Sequence, residues 1–482
     1  VLARDSLIYV AAKIVPGALG VAGTSVLTRA FAPAEYGRYG VALILMGFGS
    51  SMLFDWIGLA FMRLYEARRH DPAAIPTFVG LFVAVVLGTG GLAGLVWAAG
   101  WLPRGQAGLW LAGIGMAWAF SWFELVARFE IADFRPLRYL AMNVGRGVLM
   151  LAGAGTALLG GGPVTVAVAT IGALLAACGL GRRRALLPRG GRFDTGLAAA
   201  AMRFGLPYAA SMTLLALSTS GVRALVGGFA GEAALGLYTA AFALSQNVLV
   251  MVAAGIGSAT YPAAVRAVES GDPAGIRAQL SANATVLLAL LAPACLGMAL
   301  VAPDLAALLV GPGYRTRVAG LMPWMAAASF AGGMRGCYLD HAFQLGRRPG
   351  LQVQVAALAA LLGVGGCALL VPRLGVTGAA MASAAAMVVS CGHGWMLGRR
   401  AFALPLPVRD GAWVMGGCAA LAGAVLSVQG LPGRVALGAI GYAAVLLIGD
   451  VLDLRTSVVS WPSPGALPVD PAGGKRPQTR TT

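Results

Sequence analysis

Charge is what this sequence has least of. Only 11% of its residues are charged, 18 acidic against 35 basic, where a soluble globular chain carries about 25%. With 59% apolar residues there is too little polar surface to cover a water-facing body. A soluble enzyme or binding domain is therefore excluded as the main mass. Histidine is scarce as well: His70, His341 and His393 are dispersed without metal-ligand spacing. The six cysteines lie in apolar runs and form no Cys-x-x-Cys pair, so neither a disulfide framework nor a zinc site is indicated. There is no Walker loop. Gly88-x-Gly90-x-x-Ala93 and Gly363-x-Gly365-x-x-Ala368 fit a loose dinucleotide pattern. Both lie in apolar stretches with no preceding strand and read as close helix packing. No metal and no cofactor is expected.

Long apolar runs are what the chain does have. A membrane-spanning helix needs about 20 mostly apolar residues, and about fourteen such stretches follow one another, from 7–28 to 433–451. They lack the period-two alternation of strands, and a lipid-facing segment must satisfy its own backbone. The expected fold is an all-α polytopic membrane protein with about fourteen transmembrane helices. The 70 glycines, poor for soluble helices, let membrane helices approach closely. The net charge of +17 suggests nucleic acid at first sight. The basic residues are scattered one to three at a time between apolar runs, however, and this is the pattern of membrane topology; no nucleic-acid partner is expected. Of the 35 Lys and Arg, 24 fall on the side of the N-terminus, 7 on the far side and 4 inside spans. That bias puts both termini in the cytoplasm. No cleavable signal peptide is needed, since the first span directs insertion itself. The chain starts at Val1, which leaves its true start open.

The order of landmarks implies a duplication. Pro16 sits in an apolar run, followed by Glu35-Tyr36-Gly37-Arg38-Tyr39, another run and the loop Asp71-Pro72-Ala73-Ala74-Ile75. Pro207, Gly231-Glu232, Leu235-Gly236-Leu237-Tyr238 and Asp272-Pro273-Ala274-Gly275-Ile276 repeat that order, the two Asp-Pro loops lying 201 residues apart. Pro136 and Pro349, and Cys178-Gly179 and Cys391-Gly392, are each offset by 213. The expected organisation is a six-helix bundle over 1–190, a second over 191–400, two additional helices over 401–456, and a disordered Pro/Gly-rich tail over 457–482. Asp194 is expected to start an interfacial helix leading into the seventh span.

Ionisable groups inside spans are costly and count as functional candidates. Arg146, Arg223 and Arg335 are the cavity candidates, with Lys13 a fourth that is close enough to the surface to snorkel. Asp55, Asp340 and His341 are candidates for ion coupling, against the plainer reading of local pairing or an interfacial position. Glu124 and Arg128, spaced i,i+4, are expected to pair with each other. Ser218-Thr219-Ser220, Ser245-Gln246-Asn247 and Asn143 either bond helix to helix or line a wet cavity. Pro16 and Pro207 are expected to act as matched hinges, since proline removes a backbone donor and bends a helix, and matched breaks in two repeats point to a central cavity.

The stretch Leu27-Thr28-Arg29-Ala30-Phe31-Ala32-Pro33-Ala34-Glu35-Tyr36-Gly37-Arg38-Tyr39 resembles the first external loop of the polysaccharide biosynthesis flippases. These are Wzx-type lipid-linked oligosaccharide translocases of the multidrug/oligosaccharidyl-lipid/polysaccharide exporter superfamily. Phe204-Gly205-Leu206-Pro207, Gly236-Leu237-Tyr238, Gly311-Pro312-Gly313-Tyr314-Arg315 and Val371-Pro372-Arg373-Leu374-Gly375-Val376-Thr377-Gly378-Ala379 carry the resemblance over about residues 5–400. It implies two six-helix bundles around a cavity open alternately to each side, and no enzyme activity. The implied substrate is an undecaprenyl-diphosphate-linked oligosaccharide, moved outward across a bacterial cytoplasmic (inner) membrane for exopolysaccharide or lipopolysaccharide O-antigen assembly. Implied partners are that lipid, the surrounding membrane lipid, and a polymerase with its chain-length machinery. Many members carry an acid just before the span-seven arginine, where this chain has Val222. Alternatives are a lipid II flippase, an ion-coupled multidrug exporter of the same superfamily, and a non-transporting subunit of an assembly complex. The exporter would favour cavity acids, which are few here, and the short external loops leave no room for a polymerase or ligase site.

Overall fold

The computed structural model describes residues 2–101, 105, 107–181 and 192–451, and within them every regular element is helical. The tail beyond 457 and most of the basic connection after the sixth apolar stretch lie outside the described residues. The first half runs α1 (Leu2–Ala30), α2 (Pro33–Leu53), α3 (Asp55–Leu64), α4 (Ala74–Ala98), α5 (Ala107–Ala132), α6 (Pro136–Gly155) and α7 (Pro163–Ala177). The second runs α8 (Thr195–Ala216), α9 (Val222–Ser270), α10 (Pro273–Leu300), α11 (Ala302–Leu309), α12 (Arg315–Met334), α13 (His341–Leu345) and α14 (Pro349–Ala401), followed by α15 (Val408–Ser427) and α16 (Leu431–Ile448). The chain is a multi-pass membrane protein.

Among the described residues, ten helical stretches are long and apolar enough to cross a membrane, or eleven if α2 and α3, bent by 42°, form one span. That is fewer than the expected fourteen, in part because two of the ten fold back on themselves. Helix α14 breaks at Gly375 (φ 57, ψ −143), and Gly366 faces Ala382 across the two arms. Helix α9 breaks at Gly231 (φ 83, ψ 175), and Gly227 meets Leu235. Both breaks use a positive φ that glycine adopts without a steric cost.

The matched landmarks of the sequence occupy matched places. Asp272 caps α10 by accepting from the backbone N–H groups of Ala274 and Gly275. Asp71 accepts from Ala73 N–H at 2.9 Å just before α4. Pro136 and Pro349 each open a helix, at a position where the missing N–H has no intrahelical partner to lose. Asp194 caps α8 as expected, accepting from Gly196 and Leu197 N–H, and those bonds hold its carboxyl below the ordinary carboxylate range. The helix runs unbroken from there through residue 207, and α1 likewise runs through Pro16. The departure from α geometry comes further on, in a π turn at Leu217–Gly221. There Ser218 and Thr219 donate to the carbonyls of Leu215 and Ala216, taking up acceptors that the wider turn frees.

The two halves meet where the start of α2 crosses α9 just past its break at Gly231. A β-carbon on Gly37 would overlap the carbonyl oxygen of Glu232, and one on Gly236 would overlap that of Pro33. The contact is reciprocal: each glycine rests on the backbone that its counterpart's segment supplies. Arg38 closes the rim with Glu232 at 2.8 Å, and Tyr314 donates to Phe31 O at 3.0 Å. A core of buried side chains runs through both halves at this level, including Tyr36, Leu235, Tyr238, Val310 and Tyr314. Helices α15 and α16 attach to the second half, through Tyr442 O–H to Ala289 O at 2.7 Å and Arg434 to Asp304 at 2.7 Å.

Candidate functional site

Below the crossing, α1, α2, α5, α6, α7 and α9 surround a cavity of about 350 Å³, within the range of small-molecule sites. Two of the four cationic candidates line it, Arg146 and Arg223, and its lining contains no carboxylate among the described residues. Arg146 projects from α6. Its guanidinium lies 4.8 Å over the Phe123 ring and 3.6 Å from Glu124 Oε1, both on α5. Arg223 follows the π turn on α9. It donates to Ser220 Oγ at 3.1 Å and lies 4.7 Å over the Phe242 ring, while its buried Nε has no partner. A guanidinium carries five N–H donors and suits a phosphate geometrically, so donors remain for an anion. Pro16 lines the same cavity.

The other candidates sit elsewhere. Lys13 is exposed on α1 and is not part of the cavity wall. Arg335 is buried in the second half, away from the cavity lining, and meets Asp340 at 3.9 Å and Ser390 Oγ at 3.2 Å. Two residues singled out for different jobs therefore form one pair. A π turn at Arg335–Leu339 brings them together, and Asp340 N–H donates to Arg335 O at 2.8 Å; regular α geometry would turn positions five apart away from each other. Gln352 donates to Asp340 Oδ2 at 3.4 Å, and His341 is buried next to it. Asn143 donates back to Tyr139 O within its own helix.

The i,i+4 pair Glu124–Arg128 is replaced by two cross-helix pairs. Glu124 turns to Arg146, and Arg128 reaches Asp55 Oδ1 and the Asp55 carbonyl, both at 3.2 Å. The cause is the bend between α2 and α3, where the backbone has acceptors to offer and Gly58 leaves room. A β-carbon at Gly58 would overlap the Arg128 guanidinium. Gly58→Ala should therefore release Arg128 from Asp55 and reproduce Arg128→Ala. Each variant should lower the detergent melting temperature by a similar amount, and the double variant should lower it no further; additive effects would show that the two residues act separately.

Sequence reasoning missed the hydroxyl-bearing part of the cavity lining. Tyr36 and Tyr39, noted only as part of a loop motif, lie on α2 and line the cavity with Thr24, Thr170 and Thr239. The Arg38–Glu232 link was also missed, although both residues stood in the repeated motifs.

A family model described as polysaccharide biosynthesis protein matches residues 132–319. No curated protein matches the sequence. Among solved structures, the chain is similar to one titled lipid II flippase MurJ, inward closed conformation, with 12% identity, TM-score 0.73, and coverage of 94% of this chain and 99% of that one. It is also similar to a multidrug resistance MATE family transporter of the MOP superfamily. The inward-facing form gives 14% identity, TM-score 0.60, and coverage of 82% and 97%; the outward-facing form gives 14%, 0.59, 83% and 94%. The fold is the one those proteins share, and the resemblance read from the sequence motifs is borne out. The proteins it resembles are flippases and transporters, not enzymes.

Proposed function

We propose that this protein carries an undecaprenyl-diphosphate-linked oligosaccharide from the inner to the outer leaflet of a bacterial cytoplasmic membrane by alternating access. The observation that carries this reading is the cavity: two guanidinium groups and no lining carboxylate, next to a reciprocal glycine contact between the halves. A diphosphate crossing a membrane needs cationic partners in a wet cleft, and arginine supplies bidentate hydrogen bonds to phosphate oxygens. The lipid tail stays in the bilayer while the head passes through. On this reading 1–190 and 191–400 are the two moving bundles, 401–456 travels with the second, and the α2–α9 crossing is the closed external gate. An outward-moving anion is favoured by about 2.3 kcal/mol per charge per 100 mV when the inside is negative.

The same architecture would serve a lipid II flippase, and the similarity to MurJ keeps that as the second reading. Complementation separates the two. The gene should restore surface polysaccharide in a strain lacking its oligosaccharide flippase and fail to sustain growth when the lipid II flippase is depleted. Rescue of growth without rescue of polysaccharide would reverse the assignment. Rescue of neither, with normal membrane abundance, would remove both.

A further inference from the structure

The cavity has a second chemistry besides its two cations. Its α1, α2, α7 and α9 faces carry the hydroxyls of Thr24, Tyr39, Thr170 and Thr239 among aromatic rings. The direction of each bond can be worked out, because a hydroxyl has one hydrogen. Thr170 Oγ1 donates to Val166 O at 2.8 Å. The 3.2 Å contact between Tyr39 and Thr170 therefore runs from the Tyr39 O–H to Thr170 Oγ1, which leaves the Tyr39 oxygen as an acceptor. Thr24 donates its hydrogen to Gly20 O at 3.0 Å and is likewise left accepting. Thr239, only 2% exposed, has no partner for its Oγ1 in either direction. A buried hydroxyl without a partner costs free energy, so its place on a cavity wall points to a ligand or water that completes it. The Arg223 Nε is unpartnered on the same wall.

We infer that this wall, centred on Tyr39, Thr170 and Thr239, is a saccharide subsite that takes the sugar joined to the diphosphate, with Arg146 and Arg223 holding the diphosphate itself. The inference rests on the proposed function and deepens it. Two acceptors, one uncommitted hydroxyl and a spare guanidinium N–H form a mixed set, and mixed sets match a polyhydroxylated ring, whose groups both donate and accept. The half-buried Phe242 ring on the same lining, with Arg223 over it, adds apolar surface for the C–H face of a pyranose. A drug cation would find neither a carboxylate nor a purely apolar wall here. An extended glycan does not fit in about 350 Å³, so the subsite reads the sugar next to the diphosphate and leaves the distal ones unread.

The test compares two soluble probes on the full chain in detergent: farnesyl diphosphate, and farnesyl diphosphate carrying glucose, galactose or N-acetylglucosamine. For at least one sugar, the wild-type chain should bind the glycosylated probe about tenfold more tightly, as expected for one or two net hydrogen bonds. Tyr39→Phe and Thr239→Val remove hydroxyl chemistry with almost no change of shape. Each should cut that preference to about twofold and leave farnesyl diphosphate affinity unchanged, with an unchanged melting temperature reporting an intact fold. If farnesyl diphosphate binds but no sugar adds affinity, or if both variants keep the preference, the subsite is wrong and the diphosphate reading stands. If farnesyl diphosphate itself does not bind, the proposed function fails and takes the subsite with it.

Discussion

Arg146→Ala should abolish surface polysaccharide while leaving the protein at normal abundance in the membrane. The side chain lies on the cavity wall, with one carboxylate behind it at 3.6 Å and one ring beneath it. Removing it leaves Glu124 a third exposed, able to find water, so the fold loses little. The substrate loses a charge-assisted contact of about 1.5–3 kcal/mol, which is about ten- to a hundredfold in affinity, and more where the anion is desolvated in transit. Arg146→Lys should fall between, since it keeps the charge and loses the fork. Glu124→Gln should tighten binding of farnesyl diphosphate, because it removes the anion that competes for Arg146. Arg335→Ala should behave differently. Its buried partner Asp340 would be left uncompensated, a change that typically costs about 3–5 kcal/mol, so protein abundance should fall. Immunoblots of membranes alongside polysaccharide gels check both Arg146 variants and Arg335→Ala, and farnesyl diphosphate binding in detergent checks Glu124→Gln. Normal polysaccharide in Arg146→Ala would remove that residue from the substrate path.

The second large effect belongs to the α2–α9 crossing. Gly37→Ala and Gly236→Ala each add one carbon where the opposing backbone carbonyl already sits. Backbone cannot rotate away as a side-chain tip does, so the two helices must separate. Each variant should stop transport by holding the external gate open. With the six native cysteines replaced, Thr24→Cys on the cavity wall reports the gate through labelling by a membrane-impermeant maleimide from outside. Labelling should be slow in the otherwise native background and many-fold faster with either alanine. Unchanged labelling and wild-type polysaccharide in both variants would show that the crossing does not close during transport. Arg38→Ala, at a rim pair that is largely exposed, should do far less, since solvent screens such pairs.

How much of this could be read beforehand depended on the kind of signal. The helical membrane character follows from run length, because lipid leaves a chain few other ways to satisfy its backbone. The Asp71 and Asp272 landmarks were legible because a helix start favours a short side-chain acceptor; Asp272 caps α10, while Asp71 accepts from Ala73 N–H just ahead of α4. The apolar runs divided α14 into stretches 350–371 and 375–397, and the structure breaks that helix at Gly375. Depth could be estimated from position along a span, but the facing direction could not. Arg335 looked equivalent to Arg146, and the π turn then rotated it onto Asp340. Pair partners were misjudged for a related reason. Spacing i,i+4 permits the Glu124–Arg128 bond, but the bend beside Asp55 and the gap at Gly58 decided where Arg128 went. The hydroxyl wall had no signal in the sequence, since threonine and tyrosine in an apolar run pass for packing.

The contact in which Gly37 rests on Glu232 while Gly236 rests on Pro33 is the self-complementary kind that two identical subunits make about a two-fold axis. If each copy holds six spans, an even number, both copies insert the same way up. An ancestor half as long could then have assembled as a parallel homodimer from a single inserted orientation, with no need for dual topology. Fusion of its genes would have freed each glycine's surroundings to diverge, which is how one half could come to hold the Arg146 site while the other closed its own arginine into a private pair with Asp340.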